Sequence, residues 1–383
     1  MIDKIQKISI VLAGGGTAGH IEPAMAVADA LCKLHPKIHI TTLGTVRGLE
    51  TKLIPFYNYL LKLITPAPLP RKLSIDLFLL PFRIYKSICQ TQCIFTQIKA
   101  DIVIGFGGYV SFPAYFAVYN IYKISACKKN IPVIIYEANS KAGLVNKIGT
   151  LSAHSVLSIA KSTKLYRSKS VGMPLRTTIS SFRRTILKSD SRKFWGFKSD
   201  TKVVLIFGGS QGAQSINQII FSFANKLINS GVSILHSYGK NNRTELESYS
   251  INHVASYVMV PYIKNMELAY AASDLVVCRA GAVTVAEINS LGLPTIYIPL
   301  PIGNGEQQIN PTTVVSIGGG INLNNDYLKG KFLIDLILEL IFNKNKLISM
   351  SSAAFISGYE SSYAAEKIAQ IALSINDTKW KCI

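Results

Sequence analysis

The sequence predicts an α/β protein built from two doubly wound parallel sheets. Short apolar runs typical of strands alternate with segments of helical period along most of its 383 residues, as in β-α-β units. The first run, residues 7–13, is largely apolar, as expected for a strand covered by helices on both faces. After "VGMPLR" the order of strand, glycine turn and helix starts again, so the chain divides into residues 1–175 and 176–359.

The individual elements follow from the same alternation. Residues 23–34 carry a helical pattern after the first glycine turn. The predicted strands of the two halves are residues 7–13, 39–43, 101–106 and 133–136, and then 233–236, 257–260, 275–278 and 295–298. The uncharged stretch 102–122 is long enough to span a bilayer, but its internal glycines and Pro113 favour a strand, a glycine loop and a buried helix.

The chain is strongly basic, with 41 Lys and Arg against 21 Asp and Glu and a net charge of +20. This charge suggests an anionic partner: nucleic acid, an acidic membrane surface or a phosphorylated substrate. A simple bias of composition is the alternative. The sequence carries no RNP-like pattern, KH loop or zinc-ligand spacing, so we expect no nucleic-acid partner.

The first glycine turn fits G-x-G-x-x-G at Gly14, Gly16 and Gly19, which suggests a dinucleotide site. That site needs an acidic residue at the end of the second strand, where this chain reads "ITTLGT" and Glu50 comes only later. A dehydrogenase is therefore disfavoured. His20, at the end of the turn, is not part of the dinucleotide pattern.

Two further turns predict phosphate binding at helix starts. "FGGSQGA" (207–213) has glycines and Ser210 but lacks the G-K-[ST] of a P-loop, and a purely structural turn is its alternative. "CRAGAVTVAE" (278–287) opens a helix with small residues. Glu287 could reach sugar hydroxyls or be an ordinary acid near a helix start; Ile263 could simply be core, and Gln307 could simply be solvated.

Seven motifs occur in the order and approximate spacing of one family. They are "GGTAGH" (15–20), "GFGGYVSFP" (105–113), "EANSKAGLVNK" (137–147), "GMPLR" (172–176), "GGSQGA" (208–213), "CRAGAVTVAE" (278–287) and "EQQIN" (306–310). Together they resemble the MurG family of bacterial transferases, in glycosyltransferase family 28, which adds N-acetylglucosamine to lipid I and so makes lipid II for peptidoglycan.

The resemblance implies a GT-B fold in which two Rossmann-like domains face an interdomain cleft and residues 360–383 pack back on the first domain. It implies an inverting transfer from UDP-N-acetylglucosamine to the C4 hydroxyl of the muramyl sugar, with no cofactor and no metal. The implied location is peripheral, on the cytoplasmic face of the bacterial inner membrane. Lipid I, the anionic membrane surface and cell-wall synthesis proteins are the implied partners.

Carried over position by position, the resemblance also implies site residues. The donor would be bound by Thr17, Ala18, Gly19, Asn139, Arg176, Ser210, Ile263, Ala282, Val283, Thr284, Val285, Ala286, Glu287 and Gln307. Ile263 would read the uracil edge through its backbone. The acceptor would meet Gly107, Gly108 and Tyr109.

A base for the attacking hydroxyl is needed, and His20 is the first candidate because histidine titrates near neutrality. Glu137 is the second candidate, and an orienting role for His20 is the alternative. The chain departs from the family at Tyr136 and Ala138, where histidine and glutamine are usual, so contacts near Tyr136 are open.

Residues 55–88 are apolar and basic, with Asp76 as one acid. Five apolar side chains share a predicted helical face: Ile75, Phe78, Leu79, Phe82 and Tyr85. Basic residues that could meet anionic headgroups are Lys62, Arg71, Lys72, Arg83 and Lys86. An ordinary core helix is the alternative.

Two rival functions stay open. One is another GT-B enzyme acting on a UDP-sugar, with a different lipid acceptor or as an epimerase. The other is a non-catalytic binder of nucleotide sugars or nucleic acid that uses the positive charge.

Overall fold

The computed structural model describes residues 7–68, 75–124, 131–209, 211–239, 256–301, 305–325, 328 and 330–380, with the backbone alone for 75–77, 119–124 and 376–380. The chain forms two compact units. Unit 1 is Met1–Thr177 with Glu360–Ile383, and unit 2 is Thr178–Tyr359.

Unit 1 is built on a seven-stranded sheet. Its strands are β1 (Ser9–Gly14), β2 (His39–Gly44), β3 (Leu60–Leu63), β4 (Ile102–Gly107), β5 (Val133–Glu137), β6 (Ser155–Ser158) and β7 (Lys169–Ser170). Its helices are α1 (Ala18–Leu34), α2 (Glu50–Leu53), α3 (Ile75–Ile98), α4 (Ser111–Ile124) and α5 (Leu144–Gly149), with α6 (Thr177–Ser180) at its boundary. A 3₁₀ helix covers Ile54–Tyr57. The strands are parallel in the order β3-β2-β1-β4-β5-β6-β7.

Unit 2 repeats this plan with six strands. They are β8 (Lys202–Phe207), β9 (Val232–Ser237), β10 (Tyr257–Val260), β11 (Leu275–Cys278), β12 (Thr295–Tyr297) and β13 (Gly320–Asn322). The helices are α7 (Arg184–Phe194), α8 (Gln214–Asn229), α9 (Met266–Ala272), α10 (Ala282–Ser290), α11 (Glu306–Ile309), α12 (Thr312–Ser316), α13 (Gly330–Phe342) and α14 (Lys344–Gly358). The parallel order is β10-β9-β8-β11-β12-β13.

Both sheets reverse their strand order beside their first strand, between β1 and β4 and between β8 and β11. Crevices at the carboxyl ends of such strands are where α/β sheets bind ligands. The central strands are buried along almost their whole length, as sequence alternation and apolar content predict. The predicted α/β class with two doubly wound parallel sheets is confirmed.

The predicted strands agree with the structure to within two residues at each end. The uncharged stretch 102–122 is β4, a glycine turn and most of α4, as favoured over a membrane span. The first helix differs from its prediction: α1 begins at Ala18, so Gly19 and His20 lie in its first turn rather than in the loop.

The chain returns to unit 1 after α14. A 3₁₀ helix, Tyr359–Tyr363, leads into α15 (Ala364–Trp380), which packs on α1. Ser361 Oγ accepts a hydrogen bond from the backbone N–H of Met173 at 3.0 Å. A Cβ on Gly172, whose φ is +84°, would lie 2.7 Å from Ser361 N, so this close approach needs glycine.

Candidate active site

The ring of His20 lies at the carboxyl end of β1. Its Nδ1 is 3.1 Å from the carbonyl oxygen of Gly15 and 3.2 Å from Thr17 Oγ1. A carbonyl can only accept, so Nδ1 carries the proton of the neutral ring and Nε2 carries the lone pair. Burial lowers the pKa of His20, opposed by the charge of Glu137, the hydrogen bond to Gly15 and the charge of Glu50. The ring is therefore neutral at pH 7 and able to accept a proton at Nε2.

The turn after β4 lies directly against this ring. Gly107 and Gly108 have φ values of +89° and +77°. A Cβ on Gly108 would lie 2.5 Å from the carbonyl oxygen of Gly15 and 3.3 Å from Nδ1 of His20, and one on Gly107 would lie 3.4 Å from Nε2. Glycine is thus required here both by backbone conformation and by contact. The structure brings the predicted acceptor residues and the predicted base together.

Tyr109 extends this turn over the first glycine loop. A Cβ on Gly16 would lie 3.1 Å from Cε1 of Tyr109, so the aromatic ring covers that glycine. The phenol oxygen is 2.8 Å from Oγ1 of Thr45. Tyr109 is therefore held from both sides and stays at the edge of the site.

Glu137, at the end of β5, is buried and fully hydrogen-bonded. Its Oε1 accepts from the backbone N–H of Asn139 at 3.0 Å and from Asn139 Nδ2 at 3.2 Å. Its Oε2 accepts from Gly143 N at 3.0 Å and Asn146 Nδ2 at 2.9 Å, and Asn146 Oδ1 accepts from the hydroxyl of Tyr115. This arrangement suits a carboxylate that organises a loop. Asn146 was not nominated from sequence, although the quoted 137–147 motif contains it.

Glu50, the first residue of α2, was tested from sequence only as a ribose-binding acid. It is fully buried, and its Oε1 accepts from the backbone N–H of Gly16 at 2.9 Å. Its Oε2 is buried and has no hydrogen-bond partner in the described part of the chain. A Cβ at Gly15, Gly44 or Gly48 would collide with its side chain. The sequence feature that could have indicated Glu50 is the pair of glycines, Gly44 and Gly48, shortly before it.

Three helices that follow glycine turns start without a side-chain cap from any residue that the structure describes. α1, α8 and α10 have no acidic residue in the first turn and no side-chain cap hydrogen bond. By contrast, α14 is capped by Asn343, whose Oδ1 accepts from Lys346 N at 3.0 Å. Uncapped first-turn N–H groups and the positive end of the helix dipole suit an anion such as a diphosphate.

Both predicted phosphate turns of unit 2 have the expected geometry. Gly209 and Gly212 have φ values of +88° and +81° in the turn between β8 and α8. Gly281 is the N-cap of α10, directly after β11. Both helices start at the carboxyl edge of the second sheet. Ser210 lies outside the described residues.

The predicted donor residues at the start of α10 differ in how far they are buried. Ala282, Val283 and Thr284 are half-buried in its first turn. Val285 and Ala286 are buried in the core of unit 2. The accessible part of this motif is therefore its first turn.

The remaining predicted donor residues are partly engaged within the protein. Glu287 is buried, and its Oε2 accepts from the hydroxyl of Tyr270 at 3.0 Å. Ile263 is buried, so only its backbone could read a base. Gln307 Oε1 accepts from the backbone N–H of Leu300 at 3.1 Å, which turns its amide N–H groups to other partners.

Two groups of predicted donor residues lie beside α1 in unit 1. Thr17, Ala18 and Gly19 are exposed at the helix start. Arg176 lies at the end of the unit, with Nε 4.0 Å from Glu22 Oε2 of α1. Thr17, Ala18 and Gly19 are therefore accessible to a ligand, whereas Arg176 pairs with Glu22 of the same helix.

Arg279, directly after β11, was also missed from sequence. Its NH1 donates to the carbonyl oxygens of Ile298 and Pro299 at 3.1 and 3.0 Å and to Asn325 Oδ1 at 3.2 Å. Its NH2 donates to Ser215 Oγ at 2.9 Å. One guanidinium thus ties the start of α8 to the loops after β12 and β13. The sequence feature that could have indicated Arg279 is its position as a cationic residue inside the 278–287 motif.

The α3 face predicted for the membrane is exposed. Phe78, Leu79, Phe82 and Tyr85 have 83%, 44%, 76% and 68% of their surface accessible, while Leu80 on the opposite side is buried. The core-helix alternative is therefore wrong for this face. The backbone of Ile75 belongs to α3 and its side chain is not described; Arg71 and Lys72 lie outside the described residues. Of the basic residues, Lys86 is exposed, and Lys62 and Arg83 are half-buried.

Within the described ranges, no helix is long and apolar enough to cross a membrane. Across the same residues, no group of three or more His, Cys, Asp and Glu side chains is arranged to hold a metal ion.

Comparisons with known proteins match nearly the whole chain. Residues 10–158 match the glycosyltransferase family 28 N-terminal domain, and residues 203–370 match its C-terminal domain. The UDP-N-acetylglucosamine--N-acetylmuramyl-(pentapeptide) pyrophosphoryl-undecaprenol N-acetylglucosamine transferase of Mycolicibacterium smegmatis is 48% identical over 96% of this chain and 94% of its own. The Mycobacterium leprae protein of the same name is 46% identical over 96% and 89%.

Solved structures give the same picture of the fold. The crystal structure of Acinetobacter baumannii MurG matches with a TM-score of 0.73 at 26% identity, over 96% of this chain and 99% of that one. A UDP-GlcNAc 2-epimerase from Neisseria meningitidis matches with a TM-score of 0.66 at 15% identity, over 96% and 100%. At that identity the second match shows the fold alone.

Proposed function

Since the chain belongs to glycosyltransferase family 28, we propose that it transfers N-acetylglucosamine from UDP-N-acetylglucosamine to lipid I, giving lipid II for peptidoglycan. The observation that carries the proposal is the match at 48% identity, along nearly the full length of both chains, to a transferase named for this reaction. The neutral His20 beside an accessible glycine turn supplies the chemistry such a transfer needs.

In this reaction the C4 hydroxyl of the muramyl sugar attacks the anomeric carbon of the donor. A new C–O bond forms on the face opposite the leaving group, the bond to the diphosphate breaks, and UDP departs. The hydroxyl proton passes to Nε2 of His20. Support for His20 over Glu137 comes from their contacts: His20 Nδ1 is anchored and Nε2 is left for the proton, whereas both oxygens of Glu137 already accept two hydrogen bonds each.

The leaving diphosphate gains negative charge as the bond breaks. We assign its stabilisation to the uncapped starts of α8 and α10 and to the glycine turns before them. These backbone donors need no metal, so transfer should continue unchanged in excess EDTA. A loss of activity on chelation, restored by Mg²⁺ or Mn²⁺, would contradict this part of the proposal.

Because the proposed acceptor is a lipid, we propose that the enzyme works at an anionic membrane surface, on the cytoplasmic face. The exposed apolar face of α3, with Arg83 and Lys86 beside it, fits a helix lying in the interface. Phe82→Ser should lower binding to vesicles containing anionic lipid by about tenfold, because burying a Phe side chain is worth 1.5–3 kcal/mol or so. Phe355→Ser, which removes an exposed phenylalanine of α14, is the matched control. Equal flotation of both variants and the wild type would sink the assignment of this face.

The decisive experiment follows labelled N-acetylglucosamine from UDP into a lipid I analogue. We expect label in the lipid product and one UDP released for each sugar transferred. An arm without acceptor tests the epimerase alternative, which predicts conversion of UDP-N-acetylglucosamine by itself. Conversion without acceptor and no label in lipid would overturn the proposed function.

A further inference from the structure

The loop between β2 and α2, residues 44–50, closes behind the first glycine turn. Two of its side chains contact residues of the site. Thr45 Oγ1 is hydrogen-bonded to the hydroxyl of Tyr109, and Glu50 accepts the backbone N–H of Gly16. The loop therefore supports the first glycine turn through Glu50 and the turn after β4 through Tyr109, and both turns contact His20.

Of these two side chains, Glu50 has the more unusual environment. Its carboxylate is fully buried and one oxygen accepts from Gly16, while the other has no hydrogen-bond partner among the residues that the structure describes. Burying a carboxylate with an unpaired oxygen is unfavourable for folding. The hydrogen bond to Gly16 offsets only part of this cost, so stability alone is a weak reason for an acid here.

The carboxylate does supply something to the site. By holding Gly16, Glu50 fixes the turn whose neighbouring carbonyl, that of Gly15, accepts the hydrogen bond from His20 Nδ1. This hydrogen bond from His20 Nδ1 to Gly15 selects the tautomer that leaves Nε2 open. The chain of contacts thus runs from Glu50 through the backbone of 15–16 to the imidazole.

We propose that Glu50 is a positioning residue for the transfer: it touches no substrate, and its carboxylate fixes the first glycine turn and so the orientation and tautomer of His20. The inference rests on the proposed function where activity is the readout. It adds to the site a residue 30 positions beyond His20 in the chain, on a different element.

The proposal has an electrostatic consequence. The charged groups acting on His20 are Glu137 from β5 and Glu50 from α2, and both raise the pKa of His20 against burial. A base must be unprotonated, so activity falls as pH drops through the pKa of His20. Removing the charge of Glu50 lowers that pKa, and the acid limb of the pH–rate profile must then move to lower pH.

Two variants separate the contact from the charge. Glu50→Gln keeps an oxygen for Gly16 and removes the charge, so kcat at its plateau should stay close to wild type while the acid limb moves to lower pH. Glu50→Ala removes both, so kcat should fall by about 100-fold, the effect of displacing a catalytic group by an ångström. The KM for UDP-N-acetylglucosamine should stay unchanged in Glu50→Gln, because the Gly16 contact and the uncapped helix starts of unit 2 are kept.

Asp101 offers a matched control in the same unit. It is a buried carboxylate that accepts the backbone N–H of Ser9, at the opposite end of β1 from the glycine turn. Asp101→Asn and Asp101→Ala should lower the melting temperature without changing kcat or the pH profile. If Asp101→Ala reduced kcat as much as Glu50→Ala, the Glu50 effect would be general destabilisation and the proposal would fail.

A second readout does not depend on activity. In the full-length protein labelled with ¹⁵N-histidine, the His20 signal is assigned by its loss in His20→Gln. Its titration should move to lower pH in Glu50→Gln, and its tautomer should become mixed in Glu50→Ala. Unchanged titration and tautomer would overturn the role of Glu50 even with an active enzyme. If the wild type transferred no sugar, the proposed function would fail while the nuclear magnetic resonance result still decided the Glu50 assignment.

Discussion

The two units carry the same order of strand, glycine turn and uncapped helix, yet the charges behind their turns differ. In unit 1 the acids Glu50 and Glu137 lie behind the turn that holds His20. In unit 2 the cation Arg279 lies beside the turns before α8 and α10. Negative charge keeps a histidine able to take up a proton, and positive charge favours a diphosphate. In the proposed reaction one backbone plan thus serves two chemistries, and the charged residues next to the glycine turns differ between the units.

The histidines of the two units sharpen this contrast. Among the described residues, His20 forms its hydrogen bonds through Nδ1, with Gly15 and Thr17. His236 on β9 is fully buried, and both ring nitrogens are hydrogen-bonded, Nδ1 to the Tyr257 hydroxyl at 2.9 Å and Nε2 to Asn217 Oδ1 at 3.0 Å. The first is arranged for proton transfer, and the second holds α8 against its sheet.

The largest expected effect is on the unit 1 side of the comparison. His20→Ala should lower kcat by roughly 10²–10⁴-fold, the usual contribution of a general base. The KM for UDP-N-acetylglucosamine should be unchanged, because the uncapped starts of α8 and α10 are intact. Steady-state kinetics with both substrates varied makes the measurement. Near-normal kcat would show that His20 only orients the acceptor.

Acid should destabilise unit 2 through His236. Burial lowers the pKa of His236 to about 3, from 6.5 in the unfolded chain. The unfolded state therefore binds a proton between these values that the native state refuses, so stability falls as pH drops below 6.5. By pH 4 the loss should reach about 3 kcal/mol, at 1.36 kcal/mol per pH unit.

Tryptophan fluorescence can isolate this effect. The chain has two tryptophans, so in a Trp380→Phe background Trp195 reports on unit 2. Unfolding free energies at pH 7 and pH 4 are compared for this protein, for His236→Gln and for His154→Gln, which removes an exposed histidine of unit 1. Only His236→Gln should flatten the pH dependence; an unaltered slope would refute the assignment.

The cation of unit 2 should matter for the donor alone. Arg279→Ala leaves three loop acceptors and Ser215 without their donor, and should cost about 2 kcal/mol of stability. The displaced loops should raise the KM for UDP-N-acetylglucosamine by about tenfold, equivalent to 1.4 kcal/mol. The KM for the lipid acceptor should not change.

Arg184 is the matched control for this variant. Its guanidinium also donates to backbone carbonyls in unit 2, those of Ser273, Leu291 and Gly292, at the far end of α10. Arg184→Ala should cost similar stability with no change in donor KM. A rise in donor KM for both variants would mean that any weakening of unit 2 disturbs the donor.

The smallest effects compare one glycine from each unit. Both Gly108 and Gly231 have positive φ, so alanine should strain either by roughly 1–2 kcal/mol. At Gly231, between α8 and β9, a Cβ meets no other atom within 4 Å, whereas at Gly108 it meets the carbonyl oxygen of Gly15 at 2.5 Å. Gly108→Ala should therefore also lower kcat, and Gly231→Ala should not. Melting curves and kcat measured in parallel would expose equal behaviour and so remove the distinction.

Local patterns were sufficient to predict most of the fold. Apolar alternation located the strands, and the glycine turns located the helix starts at α8 and α10, because both signals arise within a few residues. The start of α1 was missed because Gly19 and His20 are weak helix formers that resemble a continuing loop. The α3 face illustrates the opposite case: periodicity showed that its apolar residues share a side, but not whether that side is covered.

The sequence by itself determined the two parallel sheets, the glycine turns, the nomination of His20 and the family. Tertiary structure decided which polar groups meet at those turns. Glu50 reaches Gly16 across 34 residues because β1 pairs with β2, and Arg279 reaches Ser215 across 64 because β8 pairs with the non-consecutive strand β11. Residue periodicity carries no information about such pairings, since it reports which face a side chain takes and not which distant loop lies opposite. That is why the histidine could be found in the sequence and the acid behind it could not.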